Sequence, residues 1–176
     1  MIKKTVSFVG FFLLFSMSVS AQVRVAAVSW EASSPQAKTW TPFMPITGLK
    51  LQTHKKMTDK LRAIFTVRNS SMSAVEGIVL RYSLRLRLIK AGDNLENGVW
   101  SVPFRVEELR LAKVGAGESR QVRATRFELN GQIKKLVGAG FWFDALKLEV
   151  MVDPRYGDGL SGIVQESVIA VTTVKN

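Results

Sequence analysis

The stretch Gly77-Ile-Val-Leu-Arg-Tyr-Ser-Leu-Arg-Leu-Arg-Leu-Ile89 decides the fold class of this chain. Every second residue from position 78 to position 88 is apolar or aromatic, and Arg81, Arg85 and Arg87 lie between them. A period of two places successive side chains on opposite faces of the backbone, as in a strand with one buried face. A helix would scatter the same leucines around its circumference. The period therefore predicts a strand, although Leu and Arg are good helix formers.

Similar alternation, or a run of β-branched residues, recurs along the chain between turn-forming segments. Further strands are predicted at 23–29, 46–53, 61–69, 99–106, 107–114, 120–129, 146–152 and 163–174. Asn97-Gly98 is the strongest two-residue turn signal, and Pro103 is expected to push its strand to a sheet edge or a bulge. Only 130–137 favours a helical turn. About seven to nine strands without a long helix predict an all-β, antiparallel β-sandwich.

The N-terminal 21 residues have the pattern of an export signal. Two lysines precede an apolar run at 6–15, and small residues at 19–21 supply a cleavage site. This predicts a secretory signal peptide that is cut between Ala21 and Gln22. An uncleaved membrane anchor is the alternative, but the apolar run is shorter than the roughly 20 residues that a span needs. We expect an exported protein, periplasmic or at the cell surface, with no transmembrane span in its mature form.

The 155 remaining residues (176 − 21) are expected to form one domain, 22–176, with an irregular proline- and aromatic-containing segment at 30–45. A chain of this length buries roughly 70% of its unfolded surface and can be stable without cross-links. The sequence contains no cysteine, which excludes disulfides, thiolate metal sites and cysteine nucleophiles. An exported chain without cysteine is more typical of a bacterial envelope than of small, disulfide-rich secreted domains.

The chain is strongly basic. Without the two lysines of the signal peptide, 23 basic residues stand against 14 acidic ones, a net charge of +9. Such a charge favours contact with anionic lipids, acidic glycans or nucleic acid, and export makes nucleic acid the partner that fits least. Solubility alone is the alternative explanation for the charge.

Several stretches, in this order, follow the pattern of a known family: 65–69 (Phe-Thr-Val-Arg-Asn), the strand 75–88, 115–119 (Gly-Ala-Gly-Glu-Ser), 148–153 and 165–167. The pattern resembles the immunoglobulin-like domains of bacterial surface proteins, among them the cell-adhesion-related type called CARDB. The resemblance covers roughly 61–174 and implies an immunoglobulin-like sandwich used for adhesion or assembly, without a residue-level site. The usual Asn-rich end of the family is absent, and the segment 30–45 has no counterpart in it.

The best candidate site is an arginine ladder on the strand predicted at 77–89, which we call the organising strand; it is formed by Arg81, Arg85 and Arg87. Arginine forks match carboxylate, sulfate and phosphate oxygens, so the ladder is expected to bind a polyanion or an acidic partner. The alternative is a solvated face whose arginines pair with glutamates across the strands. The glutamates considered for this pairing are Glu107, Glu108, Glu128 and Glu149. Three further arginines, Arg120, Arg123 and Arg126, lie on another predicted strand, with Arg123 on the opposite face from the other two.

Aromatic residues form a second set of candidates. Trp40 and Phe43 lie in the irregular segment, and Trp142 is the centre of a run of three aromatic residues. Exposed rings of this kind are expected to stack on sugars or to anchor a partner. Packing in the core is the alternative.

Metal binding and catalysis find little support in the sequence. The acidic loops 93–97 and 153–158 offer oxygen ligands for Ca²⁺, but neither has EF-hand spacing, and ordinary turn chemistry accounts for them. The single histidine, His54, lies beside two lysines and has no nucleophile motif near it, and no carboxylate pair stands out. We predict a protein without cofactor or metal that is not an enzyme.

These observations together predict an exported, non-catalytic binding or adhesion module that uses a basic sheet face. Its partner would be an anionic glycan, an anionic lipid surface or an acidic envelope protein. The alternative is a structural or accessory subunit of a cell-envelope assembly, in which a partner strand completes an open sheet edge.

Overall fold

A computed structural model describes residues 23–52, 57–156, 158 and 163–174. The predicted signal peptide and His54 lie outside these residues. No helix in the described ranges has the length and the apolar character needed to cross a membrane.

Strands dominate this part of the chain. They are β1 (Val23–Ser33), β2 (Pro35–Gln36), β3 (Thr39–Trp40), β4 (Met44–Ile46), β5 (Gly48–Gln52), β6 (Lys60–Asn69), β7 (Val75–Lys90), β8 (Val99–Trp100), β9 (Arg105–Val114), β10 (Ser119–Arg123), β11 (Phe141–Val152) and β12 (Val164–Val174). A 3₁₀ helix covers Leu95–Asn97, and the single α-helix of the described chain, α1, covers Asn130–Gly138. The all-β class predicted from the sequence is confirmed.

Two main sheets carry the fold. The smaller sheet has the order β10-β6-β1-β4. The larger one has the order β5-β12-β11-β7, with β8 and β9 pairing with different parts of the far side of β7. Strand pairs are antiparallel as predicted, except that β5 runs parallel to β12. A two-stranded ribbon of β2 and β3 stands apart from both sheets.

The organising strand β7 lies inside the larger sheet, between β11 and β9. Its even positions are buried from Ile78 to Leu86, and its odd positions face outward, which confirms the period read from the sequence. The same alternation in β6 buries Leu61, Ala63, Phe65 and Val67.

The inner faces of the two sheets contribute to one apolar cluster. At its centre the ring of Tyr82 from β7 lies 5.4 Å from that of Phe65 on β6 and 6.1 Å from that of Phe127. Trp30 of β1 donates a hydrogen bond from Nε1 to Ser167 Oγ of β12 at 2.9 Å, which links the two sheets. The sheets therefore have a common core, and each turns an outer face away from it.

Two local predictions were wrong. Asn97-Gly98 does not form a two-residue hairpin turn: Gly98 follows the 3₁₀ helix with φ −63° and ψ 131°, whereas a type I′ turn needs a positive φ at both central residues. The strand predicted at 99–106 is broken into β8 and the start of β9, with Pro103 in the gap, where proline has no N–H to give to the ladder.

The segment 30–45, expected to be irregular, is more regular than predicted. Strand β1 continues to Ser33, the ribbon β2–β3 follows, and Pro45 lies in the three-residue edge strand β4 opposite Glu31. An edge strand tolerates proline because one side of its backbone needs no ladder partner. The segment 120–129, by contrast, is less regular than predicted, because its strand ends at Arg123.

Candidate functional site

The arginine ladder lies on the outer face of the larger sheet, and carboxylates compensate each of its members. Arg81 is 3.0 Å from Asp153 and 3.6 Å from Glu108. The pairing with Glu108 is one that the sequence offered as an alternative, whereas Asp153 comes from the loop after β11.

The other two arginines of the ladder are paired with side chains of β11. Arg85 Nε is 3.0 Å from Glu149 Oε2, although the angles fall outside hydrogen-bond geometry. Arg87 donates two hydrogen bonds to Asp144, which occupies a bulge in β11. Neither the bulge nor this pair could be predicted from the alternation of β11.

Glu149 is the centre of the charge network on this face. It accepts from Lys147 Nζ at 2.8 Å and from Ser83 Oγ at 3.2 Å. The hydrogen bond from Lys147 and the positive charges of Lys147 and Arg85 lower the pKa of Glu149, and burial opposes the shift. The carboxylate therefore stays ionised and offsets part of the ladder's charge.

A shallow groove of about 500 Å³ lies on this outer face. Its floor includes Ser83 and Met151, and exposed Val106 and Val164 flank it. The groove is thus largely apolar, and the arginine at its rim, Arg81, is already paired.

Trp142 also belongs to the larger sheet and lies apart from the other two aromatic candidates. It is partly buried, its Nε1 donates to Thr173 Oγ1 at 2.9 Å, and its ring packs 5.5 Å from Phe143. These contacts match the core-packing alternative for this residue.

The outer face of the smaller sheet has a different charge balance. Strand β6 points Lys60, Arg62 and Arg68 outward, with Ile64 and Thr66 between them, because its alternate positions fill the core. Arg24 of β1 lies directly opposite Arg68, and Arg123 of β10 lies opposite Ile64. We call this surface the basic face; its cations are Arg24, Lys60, Arg62, Arg68, Arg123 and Arg126.

Among the described residues, one carboxylate makes an ion pair with a cation of the basic face: Glu31 Oε2 lies 2.6 Å from Arg62 Nε. All 14 acidic side chains of the sequence fall within the described residues, and none lies within ion-pair distance of Arg24, Arg68 or Arg123. Like charges directly opposite each other on neighbouring strands are destabilising. The opposed Arg24 and Arg68 are thus an unfavourable pair that no acidic side chain offsets.

Trp40 and Phe43 border one end of the basic face. Lys60 Nζ lies 3.4 Å from the centre of the Trp40 ring, and residue Trp40 remains 44% exposed. The guanidinium of Arg62 lies 3.9 Å from the ring centre of Phe43, with that of Arg126 at 6.0 Å. The structure thus places Trp40 and Phe43, both predicted binding residues, against the cations Lys60, Arg62 and Arg126. The sequence did not predict these contacts.

The base of the ribbon that carries Trp40 is held by hydrogen bonds. Thr41 N donates to Ser34 O at 2.9 Å, Ser34 N donates to Thr41 Oγ1 at 2.9 Å, and Ser33 Oγ donates to Thr41 O at 2.6 Å. Trp40 therefore follows a fixed turn rather than a free loop, and its ring is positioned beside β6.

The basic face was missed in the sequence because its cations come from three strands. Arg24 lies between buried Val23 and Val25, and Arg68 lies between buried Val67 and Asn69, so alternation alone points both outward. Their opposition depends on the register of β1 against β6, which a single sequence does not specify. Arg123 was noted, and its outward position opposite to Arg120 agrees with the parity argument.

The acidic loops use their oxygens locally. Asp93 Oδ1 accepts from Asn94 N and Asn97 Nδ2, and these hydrogen bonds lower the pKa of Asp93. Asp158 Oδ2 accepts from Arg155 N at 2.9 Å. Over the described ranges, no cluster of three or more candidate metal ligands occurs.

A partly exposed polar cluster lies at the margin of the core, where β9 approaches the segment after β10; Tyr82 is buried in it, whereas Thr125 is exposed. The hydroxyls of Tyr82 and Thr125 both donate to Glu107, and Arg105 Nε donates to the same carboxylate at 2.7 Å. Burial, together with the Glu107 hydrogen bond, raises the pKa of Tyr82 to about 12. Burial alone would raise the pKa of Glu107, but the hydrogen bonds from Thr125, Tyr82 and Arg105 outweigh it and lower this pKa.

No family model and no curated protein matches this chain. Among solved structures, it is similar to the alkylpurine DNA glycosylase AlkC of Pseudomonas fluorescens bound to DNA containing an abasic site analog. The identity is 12% and the TM-score 0.45, over 87% of this chain and 31% of the glycosylase. A crustacean hemolymph-type prophenoloxidase gives 10% identity and a TM-score of 0.49, over 90% of this chain and 35% of that protein. The chain spans about a third of the length of each, and these TM-scores are too low to assign function by similarity.

Proposed function

We propose that this protein is an exported, non-catalytic binding module of the cell envelope with an immunoglobulin-like β-sandwich fold, and that its basic face binds an anionic ligand. The signal-peptide pattern at 1–21 supports export to the periplasm or the cell surface. Two sheets around a common core, together with the family resemblance over 61–174, support the immunoglobulin-like fold.

The observation that carries the proposal is the opposed pair of Arg24 and Arg68, exposed and without a carboxylate partner. The pair weakens the β1–β6 interface, so its presence has no evident value for stability. An anionic group bound between two guanidinium forks would offset the repulsion through charge-assisted hydrogen bonds. The pair therefore favours a ligand that carries carboxylate, sulfate or phosphate groups.

The same reasoning moves the proposed site away from the arginine ladder. Arg81, Arg85 and Arg87 already have carboxylate partners, so an incoming anion would have to displace Asp153, Glu149 or Asp144. On the basic face Arg62 is paired with Glu31, but Arg24, Arg68 and Arg123 offer cations without this competition. Arginine is too basic to exchange protons near neutral pH, so the face suits binding better than acid–base catalysis.

The test compares two variants with the same loss of charge. Arg24→Gln/Arg68→Gln/Arg123→Gln removes three cations of the basic face that have no carboxylate partner, and Lys90→Gln/Lys134→Gln/Lys135→Gln removes three exposed lysines elsewhere. Binding to a panel of acidic glycans and anionic vesicles is measured at about 0.01 M and about 0.15 M ionic strength. We expect the first variant to lose at least about tenfold in affinity, because hydrogen bonds to charged groups are worth about 1.5–3 kcal/mol each. The lysine variant should stay within about twofold of the wild type.

Binding by the wild type should weaken as salt rises, because surface charges are screened over about 8–10 Å. Equal losses in both variants would mean that net charge alone attracts the ligands and that the basic face is not a site. The absence of salt-sensitive binding to every member of the panel would refute the proposal.

A second candidate function is an accessory subunit that a partner completes by strand addition. Strand β12 pairs with β5 only over Ala170–Val174, so within the described chain its first half, from Val164 to Ile169, has a neighbour on one side only. Val164 and Val168 in this half are each 52% exposed. An open edge beside exposed valines is the feature that β-augmentation uses.

A further inference from the structure

Four of the six cations of the basic face form two groups at its two ends. One pole, which we call the arginine pole, is the opposed pair of Arg24 and Arg68. The other, the aromatic pole, consists of Lys60 and Arg62 with the rings of Trp40 and Phe43. Arg68 lies six residue steps beyond Arg62 in β6, which corresponds to about 20 Å along the strand. A ligand that engages both poles must therefore be extended.

The floor between the poles consists mainly of small and uncharged side chains. Ala27 and Ser29 of β1 lie opposite Thr66 and Ile64 of β6, and Gln121 of β10 lies opposite Thr66. Arg123 flanks this floor on the side of β10. A polymer chain can approach the sheet closely here, while its anionic groups reach the cations at the ends and at the flank.

The aromatic pole indicates a sugar. Lys60 covers part of the Trp40 ring, yet 44% of the residue is exposed. An indole beside an ammonium group can contact the apolar face of a sugar ring and, at the same time, a carboxylate or sulfate of that ring. The ring thus provides apolar contact and the lysine provides charge recognition.

Two other polyanions fit this surface less well. Single-stranded nucleic acid binds through successive rings that stack on its bases, but Phe43 is flanked by Arg62 and Arg126, which leaves Trp40 as the ring available for stacking. Docking on a lipid surface uses several apolar side chains that insert below the headgroups. Among the residues described on this face, Trp40 is the one large apolar side chain that is strongly exposed.

We propose that the ligand of the basic face is a linear acidic polysaccharide, carrying carboxylate or sulfate groups, whose chain bridges the arginine pole and the aromatic pole. This inference rests on the proposed function and specifies its ligand class. Bridging joins two weak contacts in one molecule, so the affinity depends on ligand length rather than on charge alone.

The test measures the affinity of the full protein for heparin oligosaccharides of increasing length, with neutral dextran oligomers of the same lengths as controls. We expect weak binding of short heparin oligomers and a rise of at least about a hundredfold once the chain can span both poles. The dextran oligomers should not show this rise. Arg24→Gln/Arg68→Gln and Trp40→Ala/Lys60→Gln should each reduce the affinity for long oligomers to that for short ones. Far-ultraviolet circular dichroism confirms that each variant is folded.

The remaining outcomes separate this inference from the proposed function. Heparin binding that increases smoothly with charge, without a step that either variant removes, would overturn bridging. Single-stranded DNA or anionic vesicles could bind more tightly than the longest heparin oligomer and lose this binding in Arg24→Gln/Arg68→Gln. That result would overturn the polysaccharide as the ligand class but leave the basic face as the binding site. Failure of all these polyanions to bind would overturn both proposals.

Discussion

Single residues join distant segments of the chain, and Asn69 is one of them. It is a polar side chain with 0% exposure. Its Nδ2 donates to the carbonyls of Ser73, Val114 and Gly115, and its Oδ1 accepts from Ser71 N and Ser71 Oγ. The sequence predicted the turn after Asn69. It could not reveal that the asparagine joins this turn to the end of β9, because that contact spans distant parts of the chain.

Glu107 joins β7, β9 and the segment after β10 through its contacts with Tyr82, Thr125 and Arg105, and it gives stability a defined pH dependence. Its pKa is lower in the folded protein than in the unfolded chain, so the unfolded chain takes up its proton at higher pH. This contribution is complete above the unfolded pKa of about 4.3 and is lost as the pH falls through the folded pKa.

We therefore expect Glu107→Gln to lower the free energy of unfolding by about 1–3 kcal/mol at pH 7, because hydrogen bonds to a carboxylate are strong. Urea unfolding between pH 7 and pH 3 should show the difference from the wild type shrinking towards the acid end. Glu128→Gln, which changes an exposed glutamate, is the control and should follow the wild type throughout. A constant difference at every pH would mean that the charge of Glu107 does not stabilise the fold.

At the scale of elements, the sequence predicted most strands because alternation is a local signal. The period of two located β6 and β7 to within two residues and found the later part of β11, and the run of β-branched residues located β12. Tertiary pairing produced the exceptions: the bulge between Phe143 and Ala145, the break at Pro103 and the parallel pairing of β5. The helix prediction was short, since α1 runs over nine residues, from Asn130 to Gly138.

The arginine ladder provides a test at this scale. We expect Arg81→Ser/Arg85→Ser/Arg87→Ser to lower the free energy of unfolding by about 1–3 kcal/mol in total, because exposed ion pairs contribute about 0.2–1 kcal/mol each. Anion binding by the folded variant should remain within about twofold of the wild type. Urea unfolding at pH 7 and the glycan panel measure the two effects.

The variant Lys90→Gln/Lys134→Gln/Lys135→Gln again serves as the control, since these lysines are exposed and take part in no ion pair with any of the described carboxylates. Its stability should hardly change. Loss of anion binding in the ladder variant but not in the lysine variant would mean that the arginine ladder, the site predicted from the sequence, is the binding site.

At the scale of the whole molecule, the distribution of charge between the sheets decides where a ligand can bind. The sequence predicted a net charge of +9 for the mature chain, but it could not assign that charge to a surface. The larger sheet balances its arginines with Glu108, Asp144, Glu149 and Asp153. Arg24, Arg68 and Arg123, which have no carboxylate partner among the described residues, come together on the smaller sheet, and their grouping arises only when distant strands pair in one register.

The two proposed functions differ in which surface of the whole molecule matters, and the open half of β12 separates them. Val164→Lys/Val168→Lys places charge on this edge, where lysine opposes strand addition. Val102→Lys/Val137→Lys adds the same charge at exposed valines elsewhere. If the basic face carries the function, the wild type and both variants should be monomers in analytical ultracentrifugation and should bind the anionic ligand with similar affinity. A larger complex after mild crosslinking in the envelope, absent only with Val164→Lys/Val168→Lys, would instead assign the function to the edge, because strand pairing requires that edge to be free.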